Sequence, residues 1–155
     1  MDKNLNKNRN ILIAVDGSEN SKRAALYVGD IINSTKGFHV TIVNIISIPP
    51  DDYFVSEDEK ASWIGNKSFE GNKILQEHLS LLLKSGINKD DVDIKLVVKE
   101  CISISECILQ TQKNLNCGTI VIGRRGISKK EEFIYGSTSN KLLHSAKDCS
   151  VWIIE

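Results

Sequence analysis

Asn10-Ile11-Leu12-Ile13-Ala14-Val15-Asp16-Gly17-Ser18 is the stretch from which the rest of the chain can be read. Residues 10–15 form a short apolar run that stops at Asp-Gly-Ser, the pattern of a buried strand followed by a turn. A helix follows over about 18–34. Ala24, Tyr27, Val28 and Ile31 recur at helical spacing and define one apolar face, and Gly37 is a suitable stop. The β-branched run 38–46 reads as a second strand. Pro49 and Pro50 then break the pattern, which predicts a loop over about 49–62.

The same alternation continues. A second helix is expected from about Trp63 to Lys84, with Leu75, Leu79 and Leu82 on one face, ended by Ser85-Gly86. Residues 92–98 begin with an apolar/polar alternation that suits a half-exposed edge strand. Ser103 and Glu106 form a capping box for a third helix with Ile104, Ile108, Thr111 and Leu115 on one face. Residues 119–122 form a short buried strand, and a loop runs from Gly123 to Gly136. Ser137-Thr138-Ser139-Asn140 offers capping oxygens to a last helix with Leu142, Leu143 and Ala146 as its apolar positions. Residues 150–155 are the final strand. Five strands alternating with four helices predict a single-domain α/β fold, a doubly wound open sheet of mainly parallel strands in the order 3-2-1-4-5.

Composition agrees with one domain. The 155 residues are 41% hydrophobic and 26% charged, and 20 basic side chains balance 20 acidic ones. The zero net charge argues against nucleic acid or a membrane surface as partner. No stretch approaches the roughly 18 apolar residues that span a bilayer. Residues 1–9 are polar, lack the apolar core of a signal peptide, and are expected to form a disordered leader to a domain over 10–155, with a cytoplasmic location. The four cysteines (Cys101, Cys107, Cys117, Cys149) fit neither a C-x-x-C pair nor a zinc site and are expected to be small buried hydrophobes. The three histidines (His39, His78, His144) lack metal-ligand spacing and are expected at the surface or its boundary.

In an open α/β sheet a ligand binds beyond the carboxyl ends of the strands where the strand order reverses, here between the first and fourth strands. The first ends at Asp16. The fourth leads into Gly123-Arg124-Arg125-Gly126, then nine residues, then Gly136-Ser137. Glycine lets the backbone approach an anion closely, and a helix opening at Gly136-Ser137 would present free N–H groups and a favourable dipole. Gly126 on one side and Gly136, Ser137 and Thr138 on the other therefore suit a phosphate cradle. The same residues also suit a plain tight turn and a helix cap. Neither a P-loop nor a G-x-G-x-x-G fingerprint is present.

From residue 10 to residue 155 the chain resembles the universal stress protein family. The resemblance rests on ILIAVDGS at 11–18, on the G-x2-G-x9-G-[ST] spacing of Gly123, Gly126, Gly136 and Ser137, and on the short C-terminal strand. That spacing is the form found in ATP-binding members. The resemblance implies that Ala14 and Val15 line an adenine pocket, with Asp16 beside the nucleotide and Ile45 meeting the adenine edge through its backbone. It implies that Gly123, Gly126, Gly136, Ser137 and Thr138 hold ribose and phosphates. The ligand would be ATP, AMP or another adenine nucleotide, with Mg²⁺ on the phosphates. A homodimer paired through residues 150–155 is also implied. Arg124 and Arg125 are candidate phosphate contacts, although Arg124 stands where many members carry a small hydroxyl residue and could equally crowd the ribose. Lys129-Lys130-Glu131-Glu132 reads as a solvated surface.

Asp16 alone makes a weak case for turnover, since phosphoryl transfer needs a positioned base or water-orienting group as well as a metal. A binding and signalling module is therefore favoured over a slow ATPase or phosphotransferase, and the intact glycine spacing argues against an interaction protein without nucleotide. A phospho-receiver domain would want an aspartate at the end of the third strand, where this chain has Val97-Val98-Lys99-Glu100.

Overall fold

A computed structural model describes residues 8–124 and 137–155. Its elements are β1 (Asn10–Ala14), α1 (Glu19–Ile32), β2 (His39–Ser47), α2 (Glu57–Lys84), β3 (Val92–Lys99), α3 (Ile104–Asn114), β4 (Thr119–Gly123), α4 (Ser137–Ser145) and β5 (Ser150–Ile154). All pairings are parallel and the order is β3-β2-β1-β4-β5, as the alternation predicted. The central strand is apolar on both faces because both are covered. Ile11, Ile13 and Val15 pack with Ala24, Val28, Leu75 and Leu82 from α1 and α2. Leu12 packs with Ile108 and Leu142 from α3 and α4, and Ala14 lies against that cluster. Each fully buried isoleucine or leucine contributes about 1.5–3 kcal/mol.

Several expectations need correction. Tyr27 and Ile31 do not face the core; they are 48% and 43% exposed. The inner stripe of α1 is instead Ala24, Ala25, Val28, Gly29 and Ile32. Small residues let the helix sit close: a Cβ on Gly29 would lie 2.6 Å from Ser85 Oγ on the α2 C-cap. Tyr27 lies outside this contact and sets its ring edge to face against Trp152 of β5, 6.4 Å between centroids. Ile104 and Leu143 likewise point outward on α3 and α4.

The second helix begins at Glu57, not near Trp63, so residues 49–62 are not a long loop. Ser56 caps it by accepting from Glu59 N–H at 3.1 Å, and Glu59 reaches back to accept from Val55 N–H at 2.8 Å. This is a capping box displaced by one residue at its return bond. Just before it, a 3₁₀ turn at Asp51–Tyr53 is tied down by Lys60 donating to Asp51 at 2.5 Å and by Phe54 packed on Trp63.

Cys101 and Cys107 are not free buried hydrophobes; they form a disulfide between the end of β3 and the first turns of α3. Cys117 and Cys149 are free. His78 is not at the surface either. It is 0% exposed, between α2 and α1. At the N-terminal side, Asn8 donates to Asn116 O and Arg9 to Lys36 O. The remainder of the expected leader, residues 1–7, lies outside the described residues.

Candidate functional site

The growth of the sheet reverses between β1 and β4, whose ends lie side by side, with Ala14 opposite Ile122. Right-handed crossovers put each helix N-terminus at this same carboxyl rim. The β1 end is fixed from three directions. Val15 N–H donates to Val43 O at 2.8 Å, which extends the sheet by one residue. The buried side chain of Asn44 donates to Val15 O at 2.9 Å. Asp16 N–H donates to Ser21 Oγ at 3.0 Å, and Asp16 Oδ1 accepts from Ser18 N–H at 2.9 Å. The last contact is the side-chain turn expected of Asp-Gly-Ser, and Ser18 in turn caps α1 by accepting from Ser21 N–H.

Ala14 and Ile45 both stand partly exposed against the α3/α4 face of the sheet. Asp16, which follows β1, is partly exposed as well. Val15 does not share that face. It is 5% exposed in the opposite layer with α1 and α2, so its side chain lies below the sheet.

At the β4 end, Gly123 is required by packing. A Cβ there would lie 2.3 Å from the carbonyl carbon of Asn20 and 2.5 Å from the Ser21 nitrogen, so the first turn of α1 rests directly on it. Asn20 secures this junction by donating to Arg124 O while accepting from Arg23 at 2.6 Å. Arg124 donates its N–H to Ile154 O, and its guanidinium pairs with Glu155 at 3.1 Å. The described geometry therefore turns Arg124 toward the end of β5. On α4, Thr138 is half-buried and Ser139 buried. Leu142 seats that helix on the same cluster as Ala14 and Ile45, which brings its N-terminus to the open face. Arg125, Gly126 and Gly136, and the Lys129–Glu132 charges, lie outside the described residues, as does the side chain of Ser137.

Sequence reasoning missed Asn20, Ser21, Asn44 and His78. His78 Nε2 lies 3.0 Å from Ser21 Oγ and its Nδ1 lies 2.7 Å from Ile74 O. Two of the four were signalled by a polar residue in an apolar stripe: Asn44 inside Val-Thr-Ile-Val-Asn-Ile-Ile, and His78 between Leu75 and Leu82; Asn20 and Ser21 stand in a polar run that gives no such sign. Burial lowers the pKa of His78, so the ring is neutral at physiological pH. Burial pushes the Cys117 thiol up to about 11, and Cys149 is raised for the same main reason, so neither is a poised nucleophile. Among the described residues no group of three or more His, Cys, Asp or Glu is placed to hold a metal.

Residues 7–155 match the family model described as "Universal stress protein family". No curated protein matches the chain. Solved structures with the same architecture include a universal stress protein family member from Burkholderia pseudomallei, 17% identical over 95% of this chain and 96% of that one, with a TM-score of 0.73. A universal stress protein from Archaeoglobus fulgidus in complex with dAMP is 18% identical over 94% and 96%, with a TM-score of 0.67. A universal stress protein in complex with cAMP is 20% identical over 95% and 97%, with a TM-score of 0.68. At such identities the likeness carries the fold.

Proposed function

The chain belongs to the universal stress protein family, and from that membership we propose that it is an adenine-nucleotide-binding module, with ATP as its ligand, acting in stress signalling. The observation that carries this reading is the arrangement of residues at the β1/β4 switch point. Ala14 and Ile45 are partly exposed there beside Asp16, and the segment with the Gly123, Gly126, Gly136-Ser137 spacing follows directly from β4. An adenine ring would lie against Ala14 and Ile45. Val15 would support it from the other side of the sheet and Asp16 would face the ribose. Gly126, Gly136, Ser137 and Thr138 would donate to the phosphates, assisted by Arg125. Mg²⁺ would come with the triphosphate, held by its oxygens. The complexes with dAMP and cAMP in two relatives of this fold support the adenine class.

Binding without efficient turnover is the favoured form of this function. The case for turnover rests on the Asp16 carboxylate, one oxygen of which holds the Ser18 N–H, whereas phosphoryl transfer needs a positioned base or water-orienting group as well as a metal. A homodimer through β5 and a cytoplasmic location complete the proposal. Among the described residues β5 is paired on one side only, and its outer edge would take the partner strand. The test is to denature the purified protein and identify the released nucleotide by chromatography and mass spectrometry. ATP or another adenine nucleotide near stoichiometry is expected; a guanine nucleotide, or a dinucleotide, would contradict the reading.

A further inference from the structure

Of the three histidines, only His78 is fully buried, and it is joined to the turn that follows β1. The direction of each hydrogen bond in that connection can be derived. A carbonyl oxygen only accepts, so His78 Nδ1, 2.7 Å from Ile74 O, carries the proton. In the neutral ring Nε2 is then an acceptor, and the Ser21 hydroxyl, 3.0 Å away, donates to it. With its proton so directed, Ser21 Oγ keeps a lone pair for Asp16 N–H, also 3.0 Å away. A proton-ordered chain thus runs from α2, through α1, to the first peptide of the Asp16-Gly17-Ser18 turn.

Protonation reverses the middle link. Nε2 becomes a donor to Ser21 Oγ, and the hydroxyl proton loses its acceptor in a buried place. The hydroxyl has two lone pairs, so its proton must either take the third position, where no described group accepts it, or displace the Asp16 N–H, and both loosen the hold on the turn. We propose that His78 is a positioning residue for the nucleotide site, holding the Asp16 turn in its binding geometry through Ser21 only while its imidazole is neutral, so that acidification weakens nucleotide binding. This inference rests on the adenine-nucleotide reading of the site. The charged groups acting on His78 are Glu77 on α2 itself, Lys22 on α1 and Asp16 after β1. Burial outweighs them and favours the neutral ring, so the change occurs as pH falls below the ordinary histidine value of about 6.5.

Two readouts test it on the full chain. In ¹H–¹⁵N spectra without nucleotide, between about pH 8 and about pH 5, the Asp16 amide should shift with the His78 titration. Ser21→Ala should abolish that coupling. In calorimetric titrations with Mg-ATP, affinity should fall roughly three- to tenfold across the same range beyond the fall seen in His78→Gln. Glutamine supplies a donor and an acceptor but does not titrate. His78→Leu should bind weakly at both ends, with His78→Gln restoring the affinity. Should His78→Leu fail to fold, the Gln and Ala variants carry the test. An Asp16 amide indifferent to His78 protonation, or superimposable wild-type and His78→Gln profiles, overturns the positioning role alone. No heat with Mg-ATP even at about pH 8 in the unsubstituted chain overturns the nucleotide reading and with it the role built on that reading. The amide readout, which needs no nucleotide, tells the two failures apart.

Discussion

Gly123 and Asn20 meet backbone to backbone: a Cβ on Gly123 would stand 2.3 Å from the carbonyl carbon of Asn20 and 2.4 Å from its oxygen. The close approach of α1 to the end of β4 brings the Asp16 turn beside the segment that leaves β4. Neither backbone can yield as a flexible side chain would. Gly123→Ala should therefore cost about 2–3 kcal/mol, read as a lower urea midpoint. An unchanged midpoint would show that this junction is looser than described.

Asn44 provides a second check on how the β1 end is held. Its amide donates to Val15 O where the regular β1–β2 pairing stops. Asn44→Ala removes that donor from a buried carbonyl and should destabilise the fold by about 1–3 kcal/mol. Faster hydrogen exchange of the Val15 and Asp16 amides should accompany the loss.

The Cys101–Cys107 bridge closes a short loop that contains the Ser103 cap of α3. Reduction should lower stability by about 2 kcal/mol on loop-closure grounds, measured by unfolding with and without dithiothreitol. A Cys101→Ser, Cys107→Ser double variant should match the reduced protein and no longer respond to reductant. In a reducing cytosol the pair would stand as two thiols, so the reduced form is also the one to compare in nucleotide binding.

Stability should depend on pH through His78. Its pKa is lowered in the fold by burial, so the unfolded chain binds the proton more readily. The contribution of the neutral ring is fully present above the ordinary value of about 6.5 and is lost as pH falls through the lowered value. Chemical unfolding across this range should show a decline in wild type that is smaller in His78→Gln.

The outer edge of β5, unpaired among the described residues, makes the proposed dimer testable by backbone chemistry alone. Ser150 N–H donates to Gly118 O, and Ile154 O accepts from Arg124 N–H. Alternation then turns the N–H groups of Val151 and Ile153 to the outer edge. Ile153→Pro removes an outward donor and no bond to β4, so it should give a folded monomer in sedimentation equilibrium where the unsubstituted chain is a dimer. A monomer in both would contradict pairing through this edge.

The fold was legible because its cause is periodic. The apolar run of β1, the alternation of strand and helix, and the caps at Ser18 and Ser103 are all local patterns, and they implied a doubly wound, mainly parallel sheet, for which the order 3-2-1-4-5 was expected. The start of α2 was missed although Ser56 and Glu59 carry the same capping signal as Ser103 and Glu106, because residues 57–62 are mostly polar and exposed and no apolar repeat follows the cap. The inward face of α1 was read in part: Ala24 and Val28 do face the core, but close packing chose Ala25 and Gly29 over the more hydrophobic Tyr27 and Ile31. Among the candidate site residues, Asp16 stood at a strand end, whereas Ala14 and Ile45 were named through the family resemblance. Asn44 and His78 stood out as polar residues in apolar stripes, but their partners could not be read, because Val15 O and Ser21 Oγ are distant in sequence. The Cys101–Cys107 pair was likewise invisible, since only the β3-to-α3 corner brings the two sulfurs together.

The most direct test of the nucleotide reading is a calorimetric titration of Mg-ATP into the unsubstituted chain, stripped of any co-purified nucleotide, and into Gly136→Val. Saturable one-to-one binding that is lost in the variant, with its unfolding midpoint retained, is the predicted result. Absence of binding by the unsubstituted chain, or equal binding by both proteins, would contradict a phosphate cradle at the Gly136-Ser137 step.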